Sequence, residues 1–488
     1  MRKNTRARMP RGVFGVVRDA PLASEHVPRR FRNVLVAAGF VLVIAILVAS
    51  HGGGPPPPPP LPGTGTVPRS DDPFAFASGR EAQFVARAIA GSGQPLFTKS
   101  PGGALATATR VAALTPQIAA ATRGSGIDPG AVEGIVFVES AGNQYALAGS
   151  DPSSAAGLTQ ILASTATSLL GMHVDLAADR RLLAALRTSS SDAQAKSLLR
   201  RLARADQRFD PRAALAATVR YLQTAGRRFG RADLAVVSYH MGIGNLTNVL
   251  GTYDGGGSVP YAQLYFDTAP DHHAATFRLL SGFGDQSSLY FWRVSGAEQI
   301  MRLYRSDRSA LNRLNALQTA GDSTAPVLHP SGSTPSFADP SALSAAYAAR
   351  VLVPLPANLP ALGVRQAIPA GRRGVPAALY RGLRPVALDL LLELSARVRA
   401  LSGGAAPLSL IGAVSDRASV SRTSGDPMAA TGYQFVLARR YVSPAQAAAL
   451  QVMLDRLQTL NLIGWARRGN TIAVTVARDA GTVIAHGV

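Results

Sequence analysis

The sequence predicts a multidomain chain with a single N-terminal transmembrane helix, an α-rich central domain and a small α+β C-terminal domain. Three observations carry that reading. The 488 residues exceed what one hydrophobic core organises, which points to about two or three domains. An apolar run lies near the N-terminus, and two loop-forming stretches rich in Pro, Gly, Ser and Thr divide the remainder of the chain. The central part has helical periodicity, whereas the last part alternates helix and strand patterns.

Taken in order, residues 1–32 form a basic tail with nine Lys or Arg against Asp19 and Glu25. Residues 33–50 contain VLVAAGFVLVIAILVA, a short but adequate membrane span. No charged residue occurs from His51 to Pro68. The positive-inside rule therefore keeps the tail in the cytoplasm and places both later domains outside the membrane. A cleaved signal peptide ending near Val48-Ala49-Ser50 is the alternative, although the basic region is long for one. Residues 51–75, with six consecutive prolines, read as an extended spacer; a proline-rich ligand for a partner is the rival. Residues 76–320 form the central domain, 321–344 a second linker and 345–488 the C-terminal domain. No internal repeat is visible.

Composition bounds the function classes. Hydrophobic residues make up 47%, which excludes fully disordered and collagen-like chains. The 50 Lys+Arg against 29 Asp+Glu leave a net charge of +21, almost all of the cations being Arg. Such a field attracts polyanions, and guanidinium groups suit forked contacts with carboxylates or phosphates. No nucleic-acid partner is expected, because the exported part lacks interleaved basic and aromatic runs. With no cysteine, thiol nucleophiles and thiolate zinc sites are excluded. The histidines are scattered apart from His272-His273, which has no suitably spaced carboxylate or third histidine. No metal and no cofactor is therefore expected.

The informative helix starts at Asp128-Pro129, a capping residue followed by proline at the first helical position. Val132, Ile135, Val136 and Glu139 then fall on one apolar stripe. Glu133 lies off it and reads as a solvated first-turn carboxylate favoured by the helix dipole. Burial raises a carboxyl pKa, and a general acid for glycosidic cleavage needs a raised pKa, so Glu139 is the candidate catalytic residue. A structural buried glutamate fits the periodicity equally well.

Downstream of this helix lies an ordered set of motifs. Glu139-Ser140 leads through Gly142-Asn143 to Gly157-Leu158-Thr159-Gln160-Ile161, then Phe209-Asp210-Pro211 with Tyr221-Leu222, then Ser238-Tyr239-His240-Met241-Gly242. Across about residues 105–310 this resembles the lytic transglycosylases with the goose-type lysozyme fold. The resemblance implies an α-rich lysozyme-like domain acting on peptidoglycan glycan strands. There one glutamate first protonates the glycosidic oxygen, then acts as base on the sugar's own C6 hydroxyl, giving a 1,6-anhydro product. It implies that Glu139 is that glutamate, with Ser140, Gln160, Tyr239 and Tyr290 contacting substrate or the glutamate. Gln160 would meet the N-acetyl region and Tyr239 would hydrogen-bond and orient Glu139. Tyr290 stands roughly where the family has another tyrosine near the glutamate, or is a core aromatic. His240 replaces the family's Asn, and Thr159 stands where Met is common. Asp151 is a possible second carboxylate or, between Ser and Pro, a turn former. A noncatalytic peptidoglycan-binding protein on the same fold is the alternative.

In the C-terminal domain, Pro385 to Leu401 and Pro444 to Leu460 read as helices, and Leu408 to Val414 and Thr471 to Val476 as strands. Val414-Ser415-Asp416-Arg417, followed by the segment from Ala429 to Val436, resembles the zinc D-Ala-D-Ala carboxypeptidases. Ala429 and Val436 occupy the places of the His and Asp ligands, so an inactive domain is implied. Arg417 could still contact a carboxylate, or is a surface charge.

Overall fold

The computed structural model describes residues 72–284, 286–369, 374–423 and 425–485. The basic tail, the apolar run at 33–50 and most of the first linker lie outside the described residues. Among the described residues no helix is long and apolar enough to cross a membrane.

The larger part is a helical assembly. Its principal helices are α1 (Glu81–Gly91), α2 (Gly103–Ala112), α3 (Thr115–Thr122), α4 (Pro129–Ser140), α5 (Leu176–Arg187), α6 (Asp192–Ala205), α7 (Pro211–Phe229), α8 (Ala232–Met241) and α9 (Tyr290–Ser306). Capping sets their boundaries. The Asp128 carboxylate accepts from Gly130 N at 2.9 Å before Pro129, and Asp210 accepts from Arg212 N and Ala213 N before Pro211. Helix α7 stops at Gly230, whose φ of 69° ends the turn without a side-chain penalty.

Helix α4 is the axis of the assembly, with Val132, Ile135, Val136 and Phe137 all in the core. It packs antiparallel on α9 and very close, because Gly134 has no side chain. A Cβ there would stand 2.6 Å from the Val294 carbonyl oxygen. At one end of this contact Glu133 meets Arg305; at the other Glu139 meets Tyr290. The solvated role expected of Glu133 is therefore corrected. It is buried, accepting from Arg305 Nη1 at 2.9 Å and from Thr115 Oγ1 at 3.1 Å, because α3 and α9 cover the first turn of α4.

The C-terminal part is a small α+β unit. Its strands are β1 (Val353–Pro354), β2 (Val364–Gln366), β3 (Gly382–Leu383), β4 (Leu408–Gly412), β5 (Gln434–Ala438), β6 (Ile463–Arg468) and β7 (Thr471–Val476). Five of them form a sheet in the order β2-β4-β5-β7-β6, antiparallel except for the β2–β4 pair. Helices α10 (Pro385–Ser402) and α11 (Pro444–Thr459) supply apolar faces to its core. Both helices and β4 and β7 match expectation; β1, β2, β3, β5 and β6 are additions to it.

The two parts share one hydrophobic cluster. Gly91 at the end of α1 lets that helix touch α11, where a Cβ would fall 2.1 Å from the Gln458 carbonyl oxygen. Buried Arg397 on α10 pairs with Asp72 at 3.1 Å and Asp271 at 3.4 Å. Arg456 on α11 donates to the carbonyls of Phe266, at 2.7 Å, and Thr268. Within the stretch expected to be a linker, Thr324 and Ala325 pack against Gly464 of β6. His329 there is buried, its Nε2 donating to the Val476 carbonyl at 2.6 Å. This stretch is docked on the sheet, since Gly464 and the end of β7 leave it a seat.

Candidate active site

Glu139 occupies the last turn of α4. The chain leaves that helix through Ala141 and Gly142, both at positive φ, and Arg110 Nε on α2 fixes the exit by donating to the Ala141 carbonyl at 2.8 Å. The loop folds back through bridges Leu147↔Ala156 and Ala156↔Ile161. Gly157, at φ 80°, is required here: a Cβ would lie 1.8 Å from the Arg208 carbonyl oxygen. That turn delivers Gln160, whose Nε2 donates to the carbonyls of Ala146 at 3.1 Å and Gly157 at 2.9 Å. Its Oε1 has no hydrogen-bond partner among the described residues.

A buried ion pair underlies this loop, and no sequence pattern points to it. Arg208 binds Asp206 through Nε and Nη2, and donates to the carbonyls of Pro152 at 2.6 Å, Ser154 at 2.8 Å and Ile161 at 3.2 Å. Asp179 lies 3.9 Å from the same guanidinium. Burial, and then the neighbouring Asp206, push its carboxyl above the usual carboxylate range. An Asp and an Arg two positions apart in a loop look like surface charge in a sequence; only the return of loop 152–161 over them makes them a core.

Glu139 opens into a cleft of about 730 Å³ that Gln160, Tyr239, His240, Tyr290 and Arg293 also line. Tyr290, the first residue of α9, donates from its phenol to Glu139 Oε1 at 2.7 Å. Burial raises the Glu139 pKa, against the opposing effects of His240 and of the Tyr290 hydrogen bond. Burial and then the Glu139 carboxyl raise the Tyr290 phenol well above its ordinary value, so it stays a donor. The His240 ring stacks on Tyr290 at 5.0 Å between centroids, with Nδ1 2.8 Å from Ser287 Oγ. The histidine thus lies beside the carboxyl without closing the cleft.

The orienting role expected of Tyr239 belongs to Tyr290. The Tyr239 hydroxyl donates to the Thr159 carbonyl at 2.9 Å and lies 3.1 Å from Thr218 Oγ1. From α8 it reaches the Gln160 loop, while the tight α4–α9 contact brings Tyr290 over the glutamate. Its ring stacks on that of Tyr290 at 6.5 Å. Ser140 is not on the cleft. It is buried with Oγ donating to the Val136 carbonyl at 3.2 Å, facing a small pocket behind Glu139 that Lys99 and Arg293 also line. Successive helical residues point about 100° apart, so Ser140 is turned away from the main cleft that Glu139 lines.

Among the described residues lining the cleft, Glu139 is the only carboxylate. Asp151 is exposed, accepts from Ser153 N at 2.9 Å and stands 3.4 Å from Arg180, which is the turn-forming arrangement. Glu298 has its carboxylate 3.7 Å from Arg302, and burial, then Asp128, push its carboxyl up to about 7. The expectation that His272-His273 has no suitably spaced carboxylate is corrected: the turn after the helix Tyr261–Asp267 brings Asp267 to both rings.

In the C-terminal unit, Asp416 is buried, accepting from Tyr380 Oη at 2.8 Å and Ser419 N at 2.8 Å. Arg417 beside it is exposed. Ala429 and Val436 offer no ligand atoms, and His486 lies outside the described residues.

No protein-family model matches this chain, and no curated protein matches it. The functional reading therefore rests on the ordered motif residues and on the geometry around Glu139.

Proposed function

We propose that this protein is a membrane-anchored lytic transglycosylase that cleaves the β-1,4 bond between N-acetylmuramic acid and N-acetylglucosamine in peptidoglycan. The observation that carries the proposal is the carboxyl of Glu139, the only one among the described residues lining the cleft, held by the Tyr290 phenol at 2.7 Å. Its raised pKa favours the protonated form that the first step requires. Glu139 gives its proton to the bridging oxygen as the bond to C1 of the muramic acid breaks. The carboxylate left behind, stabilised by Tyr290, takes the proton of the C6 hydroxyl as that oxygen bonds to C1. Glu139 is regenerated and no water is consumed. A hydrolase with two carboxylates would need a nucleophile or base opposite the acid, and the described walls supply none. Gln160 lines the same cleft, and in this reading it meets a polar substituent of the sugar. In the same reading the apolar run at 33–50 is a single-pass anchor, and the C-terminal unit is a non-peptidase module.

Digestion of purified peptidoglycan by the wild-type chain and by Glu139→Gln tests the proposal. The variant should fold and bind wall normally while turnover falls by at least about 10²- to 10⁴-fold. Near-normal turnover would remove Glu139 from the chemistry. Wall binding by the wild type without turnover would establish the noncatalytic alternative.

A further inference from the structure

The helix Tyr261–Asp267 ends beside a tight turn whose backbone closes on itself, Ala269 N donating to His272 O at 2.7 Å and His272 N to Ala269 O at 3.1 Å. One candidate ligand atom from each of Asp267, His272 and His273 lies within 4.8 Å of the other two. His273 Nε2 is 3.4 Å from Asp267 Oδ2. We propose that this turn is a binding site for a divalent transition metal of the zinc class, with Asp267, His272 and His273 as ligands and water completing the shell.

Three features support it beyond proximity. His272 Nδ1 stands 3.0 Å from the Asp267 carbonyl oxygen. A carbonyl there fixes the tautomer and leaves Nε2 with the lone pair, the usual arrangement behind a metal-bound imidazole. The Asp267 carboxylate is itself oriented, accepting from Tyr253 Oη at 2.7 Å, which is the supporting hydrogen bond a ligating carboxylate needs. His273 adopts φ 47°, ψ 44°, a left-handed conformation that a residue bearing a β-carbon adopts only at an energetic cost. That cost places its ring across from Asp267, tilted against Tyr253 at 4.5 Å between centroids.

Two imidazoles and one carboxylate suit Zn²⁺, Co²⁺ or Ni²⁺ better than the hard, oxygen-seeking Ca²⁺ and Mg²⁺. Tetrahedral zinc with bonds near 2.0–2.1 Å requires ligand atoms about 3.3 Å apart, within reach of side-chain rotation from the present spacing. The position gives the metal a mechanical role. Asp271, inside the turn, pairs with Arg397, and Arg456 holds the carbonyls on either side of Asp267. A metal that fixed the turn would brace the contact between the helical and C-terminal parts.

The test is titration of the full-length chain, stripped with chelator, with Co²⁺, read by its visible ligand-field absorption, together with the melting midpoint. One Co²⁺ per chain is expected, displaced by Zn²⁺, with a rise in midpoint on loading. Asp267→Asn should weaken Co²⁺ binding by at least about tenfold. His273→Gly removes a ligand where glycine is at ease, so the metal-free protein should melt no lower than wild type while the Co²⁺ spectrum is lost. Absence of stoichiometric Co²⁺ binding, or binding unchanged in His273→Gly, would overturn the assignment.

Discussion

Replacing Tyr290 by Phe isolates the bond on which the acid–base reading of Glu139 turns. The ring remains, so its stacking on His240 at 5.0 Å and on Tyr239 at 6.5 Å is preserved. Only the donor at 2.7 Å from Glu139 Oε1 is lost. A hydrogen bond to a charged acceptor is worth about 1.5–3 kcal/mol, and it stabilises the ionised form, so its loss should raise the Glu139 pKa by about one to two units. Because the first step needs protonated Glu139, activity falls as pH rises through this pKa, and the alkaline limb of kcat/KM reports it. In Tyr290→Phe that limb should move upward by about one to two units. The plateau should fall by about 10- to 100-fold, since the carboxylate formed in the first step is no longer stabilised. Release of soluble fragments from purified peptidoglycan, measured from about pH 5 to about pH 10, gives both quantities. An alkaline limb that stays in place or moves down would refute the reasoning, even if the plateau fell.

Gly134→Ala should disturb the same bond from the far side. The new methyl would press on the Val294 backbone at 2.6 Å, costing about 1–3 kcal/mol in unfolding free energy and reducing turnover by shifting Tyr290. Glu133→Gln should behave differently, lowering stability by about 1–3 kcal/mol because Arg305 loses its carboxylate, with turnover per folded molecule close to wild type. His329 supplies a pH test of the C-terminal unit. Burial holds its pKa down to about 4 from 6.5, despite the Val476 bond. The unfolded chain therefore takes up a proton below pH 6.5 that the folded one refuses. Stability should be intact above that pH and fall by about 3 kcal/mol toward pH 4. Urea midpoints at both pH values measure this, and His329→Gln should flatten the difference.

The features legible in the sequence are local. Asp128-Pro129 and Asp210-Pro211 announce their helices because capping acts within one turn. The stripe through Val132, Ile135, Val136 and Glu139 locates the half-buried cleft carboxyl because its period is that of the helix itself. Partners across the chain are not legible. Tyr239 and Tyr290 are both aromatic residues on buried helices, and nothing in their own neighbourhoods says which phenol faces Glu139. Gly134 decides it by letting α9 close onto α4, and an isolated glycine in a helix carries no label for its partner. Glu133 departs from expectation for the same reason, since a first-turn carboxylate is solvated only where no other helix crosses it. Strand β6 is hidden because Gly464, Arg467 and Arg468 interrupt its apolar alternation. Strand β5 lies in the segment after Gly432, where the motif pattern masks the strand period. The His272-His273 pair shows no recognised ligand spacing to a carboxylate in the sequence; a closed turn supplies Asp267 from five positions upstream of His272.

The claim that a single glutamate serves as acid and then base is tested most directly by mass spectrometry of the muropeptides released by the wild-type protein. Transfer to the C6 hydroxyl predicts muramic acid termini lighter by one water than the hydrolytic product, with no incorporation of ¹⁸O when digestion is run in labelled water. Termini at the hydrolytic mass carrying ¹⁸O would show that water is the acceptor, and would contradict the account.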